Sequence, residues 1–277
     1  DDFWPLDNED KTDNFIYRET PSEILKGTFN GQSDDVTKLW ANQYKSIARA
    51  NTILANMDKA VNMGISEVKL KQYEGEAFFQ RASCYARLVT YFGDVIYVTE
   101  VVDIDKAFTL GRTAKSEIVP KIYEDYDKAI ENLPEKYSGL SSQRATKGAA
   151  LALKARFALY MGDWDIVADA TKKCMDLGIY KLHKDYSDLF LSTTKNSEES
   201  IFLLPRSIEY KVTLGNWTVM NEVSRNPGGW GAFAPSWDLL AAYTCTDGLP
   251  IDESPLFDPH NPFKNRDPRC TATIVEF

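Results

Sequence analysis

The run Ala155-Arg-Phe-Ala-Leu-Tyr-Met-Gly-Asp-Trp-Asp-Ile-Val-Ala-Asp-Ala-Thr-Lys-Lys-Cys-Met-Asp-Leu177 decides the architecture. Its first half extends a helical pattern that begins near Thr146 and carries Ala149, Ala150, Ala152, Ala155 and Ala158, small residues that let a neighbouring helix approach closely. Gly162-Asp163 breaks that helix, because glycine takes left-handed backbone without steric cost. Trp164 to Leu177 then resumes helical spacing before Gly178 stops it. Helix, glycine turn and helix in so short a stretch predict a hairpin, and a lone hairpin cannot bury its own apolar face.

Further hairpins lie upstream. From about Asp35, Trp40, Tyr44, Ile47, Ala48, Asn51, Ile53, Leu54 and Met57 recur near helical spacing, predicting one helix that ends near Met63-Gly64. Ser66-Glu67 opens its partner, which runs through Tyr73, Ala77, Phe78, Arg81, Ala82, Tyr85, Leu88 and Val89 to Gly93-Asp94. After an extended piece from Val95 to Val102, Ser116 to Pro134 reads as helix, with Pro120 tolerated in its first turn. The quoted run resembles the tetratricopeptide pattern of a small residue and Tyr on one helix, Gly-Asp-aromatic at the turn and Ala on the next. Arg81-Ala82 through Tyr91-Phe92-Gly93-Asp94 resembles a degenerate copy of its first half. The expected fold is mainly α, with tetratricopeptide-like hairpins forming a solenoid core beside a loop-rich part with little β structure.

Outside the hairpins the texture changes. Residues 1–35 are polar without a sustained period and read as a surface segment, 36–178 carry the hairpins, and 179–277 form a loop-rich region incomplete at its C-terminus. Within that region Tyr180-Lys-Leu reads as extended, Tyr186 to Phe190 as a helical turn, Ser200-Ile-Phe-Leu-Leu204 as a buried strand, Gly215 to Pro235 as loop and Pro235 to Ala242 as a short helix. Thr271 to Phe277 alternates like a strand. The opening Asp1-Asp2-Phe3-Trp4 carries neither an initiating Met nor a basic and apolar leader, so a fragment at both ends is expected.

Composition narrows the function classes. With 43% hydrophobic and 26% charged residues the chain has material for a sizeable core, and disordered or collagen-like states are excluded. The most apolar stretch, Gly148 to Gly162, is interrupted by Lys154 and Arg156, too soon for a bilayer-crossing helix. A formal charge of −9 repels phosphate backbones, so no nucleic-acid partner is expected.

Reaction machinery is sparse. Phosphate-binding, dinucleotide, zinc-protease and nucleophile-elbow motifs are missing, and His183 and His260 stand in unrelated contexts, so no catalytic residue and no enzyme activity are expected. Of the cysteines, Cys84 and Cys174 fall at core positions, while pairing of Cys245 with Cys270 stays open. Asp7-Asn-Glu-Asp10 with Asp13-Asn14, and Asp247 to Glu253, lack the spacing of a calcium loop and read as solvated loops. No cofactor is expected, any metal ligand is unknown, and a structural Ca2+ stays open. Aromatic residues make up 12% of the chain. Trp40, Trp164 and Trp237 read as packing, whereas Trp4, Trp217 and Trp230 sit in polar or glycine-rich contexts such as Asn226-Pro-Gly-Gly-Trp-Gly231, where binding and packing both remain open.

The ensemble Trp40-x-x-x-Tyr44-x-x-Ile47-x-x-x-Asn51-x-Ile-Leu, Glu76-Ala-Phe-Phe-x-Arg81-Ala-x-x-Tyr85 and Tyr91-Phe-Gly-Asp-Val95 resembles the opening hairpin of SusD/RagB-like nutrient-binding lipoproteins. Arg144 to Arg156, Gly162-Asp-Trp164, Ser197-Glu-Glu-Ser-Ile-Phe202, Tyr243-x-x-x-Asp247-Gly248 and Asp267-Pro-Arg269 follow in the same family order. The resemblance runs from about Trp40 to Ile274. It implies a surface-exposed outer-membrane lipoprotein of Bacteroidetes-type bacteria that binds glycan, or in some members peptide, without cleaving it and delivers it to a SusC-like TonB-dependent transporter. It further implies membrane attachment only through an N-terminal lipid anchor absent from this chain, and a full member about twice this length. In such relatives the tetratricopeptide side contacts the transporter, while ligand contacts come from regions matching Trp4 to Asn14 and Tyr210 to Trp230. Transferred by region, this makes Trp4, Trp217 and Trp230 the expected stacking residues and Asp13, Asn14, Asn221 and Arg225 the expected hydrogen-bonding partners. A peptide-capturing member, or a helical-repeat adaptor for another protein, is the alternative.

Overall fold

The computed structural model describes residues 11–18, 23–138, 143–194, 197–203, 206, 209, 211 and 216–274, with backbone alone at 216–218. The chain divides into two compact units, one formed by Asp34–Leu182 with Asn196–Leu204, the other by Asp1–Ser33, His183–Lys195 and Pro205–Phe277.

The first unit is helical. It contains α1 (Asp34–Leu54), α2 (Met57–Asn62), α3 (Glu67–Phe92), α4 (Ile104–Ala107), α5 (Lys115–Asn132), α6 (Lys147–Met161) and α7 (Trp164–Asp176). The long helices pack in chain order, α1 on α3, α3 on α5, α5 on α6 and α6 on α7, which is the neighbour-on-neighbour pattern of stacked hairpins. Tyr85, Leu88, Ile118, Ile122 and Tyr126 are fully buried at the centre. Thr146 caps α6 by accepting the Ala149 amide at 3.1 Å, and Gly162 ends it at φ +82°. Gly148 leaves room for the Tyr180 ring, since a Cβ there would lie 2.1 Å from its hydroxyl oxygen and displace it.

Two expectations for this unit change. The single helix expected up to Met63 is broken between Leu54 and Met57. There the Thr52 hydroxyl donates back to the Ala48 carbonyl at 2.8 Å and the Asn56 amide to the Thr52 carbonyl at 2.7 Å, side-chain bonds that compete with the helical ladder. The strand expected from Ser200 is absent through residue 203, residue 204 lying outside the described residues. Ile201 packs on the core and Phe202 meets Phe79 edge-on at 5.3 Å, so apolar anchoring replaces strand pairing. Trp40 packs against Tyr44 and Phe92 as expected, but Trp164, at the first position of α7, is 67% exposed.

A buried polar network holds the extended segment after α3. The Arg81 guanidinium donates to both Asp125 carboxylate oxygens at 2.7 and 2.8 Å and to the Asn51 carbonyl oxygen at 3.0 Å. Asn51 in turn donates to the backbone carbonyls of Val98 and Glu100 at 3.0 and 3.1 Å. Tyr85 donates to the Val98 carbonyl and accepts the Val98 amide at 2.7 Å, while Tyr44 donates to the Ile96 carbonyl. Beyond the bridge between Val95 and Thr113, side chains from α1 and α3, braced by Asp125 of α5, thereby satisfy this stretch of backbone. Burial pushes the Tyr44 phenol up to about 12, keeping it a neutral donor.

The second unit contains β1 (Phe15–Tyr17) paired antiparallel with β2 (Phe233–Pro235), in the register Phe15 with Pro235 and Tyr17 with Phe233. It also holds a 3-10 turn at Asp188–Phe190 and the short helices α8 (Asn216–Glu222), α9 (Trp237–Ala242) and α10 (Pro268–Thr273). The pairing of β1 gives the polar N-terminal segment an anchor its sequence did not announce. The stretch expected as loop up to Pro235 contains α8, and the strand expected from Thr271 is the last turn of α10 instead. Asp267 caps α10 and Pro268 starts it with a preset φ, and these two outweigh the alternating pattern that follows. Cys84, Cys174, Cys245 and Cys270 are all buried free thiols.

The cap of α10 carries a pH signature. The Arg269 guanidinium and backbone amide both donate to Asp267, holding its carboxyl near 2 instead of the ordinary 3.8. A depressed carboxyl stabilises the folded state above its unfolded value, and the contribution disappears as pH falls from about 4 through about 2. Carboxyl NMR titration should place Asp267 near pH 2, with Arg269→Ala moving it back toward 3.8. A wild-type midpoint at the ordinary value contradicts the assignment.

Candidate functional site

The sequence-expected site residues that can be placed gather in the second unit. Beyond α8 the backbone doubles back on itself: the amides of Gly229, Trp230, Gly231 and Ala232 donate to the carbonyls of Ser224, Met220, Val223 and Asn221 at 2.9, 2.6, 2.9 and 2.8 Å. This close antiparallel return needs glycine. Gly228 and Gly231 have φ of +101° and +51°, and a Cβ on Gly229 would lie 2.0 Å from the Val223 carbonyl oxygen. Trp230 is thus presented from a cross-bonded turn, the residue being 41% exposed. The Arg225 Nε donates to the Trp230 carbonyl at 3.4 Å, so the same turn positions an exposed cation.

From Trp230 the chain enters β2. The Arg18 amide donates to the Ala232 carbonyl at 2.9 Å, and the rings of Tyr17 and Phe233 stack at 4.8 Å. At the far end of β2, the Ser236 amide donates to the Asn14 carbonyl at 2.9 Å and its hydroxyl donates to the Asp13 carbonyl. The ribbon therefore ties Asp13 and Asn14 to the turn bearing Arg225 and Trp230. Asp13 is exposed and Asn14 half-buried.

Not every expected residue serves this surface. Asn221 is only 1% exposed and its carbonyl accepts the Ala232 amide, so it belongs to the frame of the turn. Trp217 lies in α8, and its side chain, like all of Trp4, is outside the described residues. Asp7 to Asp10 is outside them as well. The second acidic stretch satisfies itself: Asp247 accepts the Ser254 hydroxyl at 2.7 Å and the Leu249 amide at 3.1 Å. Trp237, expected as packing, is instead 58% exposed at the start of α9, because Ser236 caps the helix and turns its first residue outward.

Chemically, this surface offers an indole face, a carboxylate and a guanidinium. It can stack and hydrogen-bond. Neither histidine belongs to it, and among the described residues no group of three or more His, Cys, Asp or Glu is placed to hold a metal ion. On the edge of α8, burial pushes the Glu222 carboxyl up. Sequence patterning missed two depressions in the helical unit. One, of about 270 Å³, is lined by Trp40, Tyr44, Ile47, Val98, Val101 and Leu110. The other, of about 590 Å³, is lined by residues including Arg49, Ile53, Met57, Tyr73, Glu76 and Gln80. Ile53 and Tyr73, which helical spacing groups with the core residues, are instead 46% and 43% exposed and line the second.

Residues 7–159 match the family model SusD-like_3, described as starch-binding associating with outer membrane. A SusD-like protein of Formosa agariphila is 30% identical over 176 residues, 62% of this chain and 32% of that protein. A SusD-like protein of Bacteroides ovatus is 22% identical over 238 residues, 78% of this chain and 42% of that one. Among solved structures, a SusD-like carbohydrate binding protein from Bacteroides fragilis superposes with a TM-score of 0.83 at 28% identity, covering 96% of this chain and 52% of that one. The chain thus spans about a third to two fifths of the length of these curated relatives and about half of the solved structure.

Proposed function

Because the chain belongs to the SusD-like family, we propose that it captures oligosaccharide or polysaccharide at the cell surface and passes it to a SusC-like TonB-dependent transporter. The observation that carries this is Trp230, a partly exposed residue on a turn whose backbone is held by glycines and cross-bonds. Sugar rings present C–H faces that stack on indole, and their hydroxyls seek charged and carbonyl partners. Trp230 supplies the stacking face, with Trp217 and Trp4 as further stacking residues. Asp13, Asn14 and Arg225 bond hydroxyls, and Asn221 acts from within as support of the turn.

The family description supports an outer-membrane location, and the carbohydrate-binding name of the Bacteroides fragilis neighbour supports glycan as the class. Stacking and hydrogen bonding are the interactions that capture needs. The tetratricopeptide-like hairpins are the side assigned to the transporter, and an N-terminal lipid anchor is the attachment to the membrane. Affinity electrophoresis in gels containing starch, laminarin or xylan tests the function. Retardation by at least one polymer is expected. Migration unaffected by all three, together with calorimetric binding of peptides, would overturn glycan in favour of peptide capture.

A further inference from the structure

The depression of about 590 Å³ in the helical unit has no part in the capture proposed at Trp230. Helical spacing explains how it is built. Ser46, Arg49, Ala50 and Ile53 recur at i, i+3, i+4 and i+7 on one face of α1, and Leu70, Tyr73, Ala77 and Gln80 recur likewise on α3. Where α1 gives way to α2, Met57 and Ala60 complete an apolar wall. Ile53 and Tyr73 stay exposed within it, so a ligand that covers them recovers the stabilisation their burial would bring.

Most of the polar lining already has partners inside the protein. The Asn56 amide donates to the Thr52 carbonyl at 2.7 Å, and its oxygen accepts the Lys59 ammonium at 2.8 Å. The Gln80 amide donates to the Cys84 sulfur at 3.3 Å. The Glu76 carboxylate accepts the Arg144 guanidinium at 2.6 Å and the Tyr137 hydroxyl at 3.1 Å, so its charge is matched. Arg49 differs. It lines the same depression and is exposed, and among the described residues it makes no hydrogen bond, ion pair or ring contact. A guanidinium with unused donors is a planar fork that fits a carboxylate.

We propose that this depression binds a small amphiphilic carboxylate, its apolar chain lying on Ile53, Met57, Leu70 and Tyr73 and its head group on Arg49. A neutral head group would leave the cation unanswered, and a cationic one would meet a like charge. The volume falls within the range of about 300–1,000 Å³ common to small-molecule sites. Every lining residue belongs to the unit formed by Asp34–Leu182 and Asn196–Leu204, so the inference stands apart from glycan capture by the other unit.

Octanoate, octanol and octylammonium share one chain and differ in head-group charge, which makes them suitable probes. Carbon-13 methyl labelling of methionine reads their position, because Met57 lines the depression whereas Met175 lies on α7. In NMR titrations, octanoate should shift the Met57 methyl resonance saturably, leave Met175 in place and bind about fivefold more tightly than octanol. Octylammonium should bind most weakly. Arg49→Gln, at an exposed position, should reduce octanoate to the affinity of octanol, and Arg49→Lys should keep part of the preference. No shift at Met57, equal shifts at Met57 and Met175, equal wild-type affinities for octanoate and octanol, or an undiminished preference in Arg49→Gln each overturns the proposal and leaves capture at Trp230 unaffected.

Discussion

Arg81→Met is expected to lower the unfolding free energy by about 3–5 kcal/mol. The Arg81 and Asp125 side chains are 6% and 5% exposed, and their paired, two-pronged contact is the sole charged contact of either group among the described residues. Methionine keeps most of the volume but leaves a buried carboxylate without its cation. It also removes the donor to Asn51, whose amide holds the carbonyls of Val98 and Glu100, so the extended segment after α3 loosens as well. Burial works against the Arg81 charge, and the Asp125 hydrogen bond and charge more than compensate, so its pKa lies above the ordinary arginine value. The measurement is chemical denaturation, where the midpoint should fall with little change in slope. Adding Asp125→Leu should recover a large part of the loss, because the pair removed together leaves no orphan charge. A loss below about 1 kcal/mol for Arg81→Met would mean that the network is solvated in solution.

Gly229→Ala is expected to abolish the presentation of Trp230. The added Cβ would sit 2.0 Å from the Val223 carbonyl oxygen, an atom of the backbone that cannot swing aside. The turn must open, breaking the returns from Trp230 to Met220 and from Gly231 to Val223. Overpacking of this kind costs about 3 kcal/mol. Because the damage is confined to the second unit, helical circular dichroism should be largely retained while glycan affinity falls at least as far as in Trp230→Ala. Full affinity in Gly229→Ala would show that the site does not depend on this turn.

The helical unit was legible because its signals are local. Alanine spacing, Gly162, Thr146 and Pro120 each act within a turn or two of helix, and α3, α5, α6 and α7 begin and end within a residue or two of where they were expected. Signals that depend on distant partners were not legible. Phe15–Tyr17 pairs with Phe233–Pro235 across most of the chain, and Arg81 finds Asp125 on another helix, so neither could be read from neighbouring residues. Ser200 to Leu204 misled because an apolar run anchors to a helix face as readily as it joins a sheet. Thr271 misled because a cap and a proline upstream set the backbone before side-chain alternation could.

The candidate site follows the same division. The glycine-rich context of Trp230 announced a special turn, and the structure supplies the reason in Gly229. Asn221 has the chemistry of a ligand contact but occupies an inward position, which composition does not reveal. Trp237 reads as packing within the helical run Pro235-Ser-Trp-Asp-Leu-Leu-Ala-Ala-Tyr243. Only Leu240 of that helix is buried, and the first residue points away.

The central claim is that a rigidly held indole on the second unit captures glycan. Its most direct test is calorimetric titration of the polysaccharide that retards the wild type, among starch, laminarin and xylan, into wild-type and Trp230→Ala protein of equal thermal stability. Binding weakened tenfold or more in Trp230→Ala is the predicted result. Equal affinity in the two proteins would contradict it.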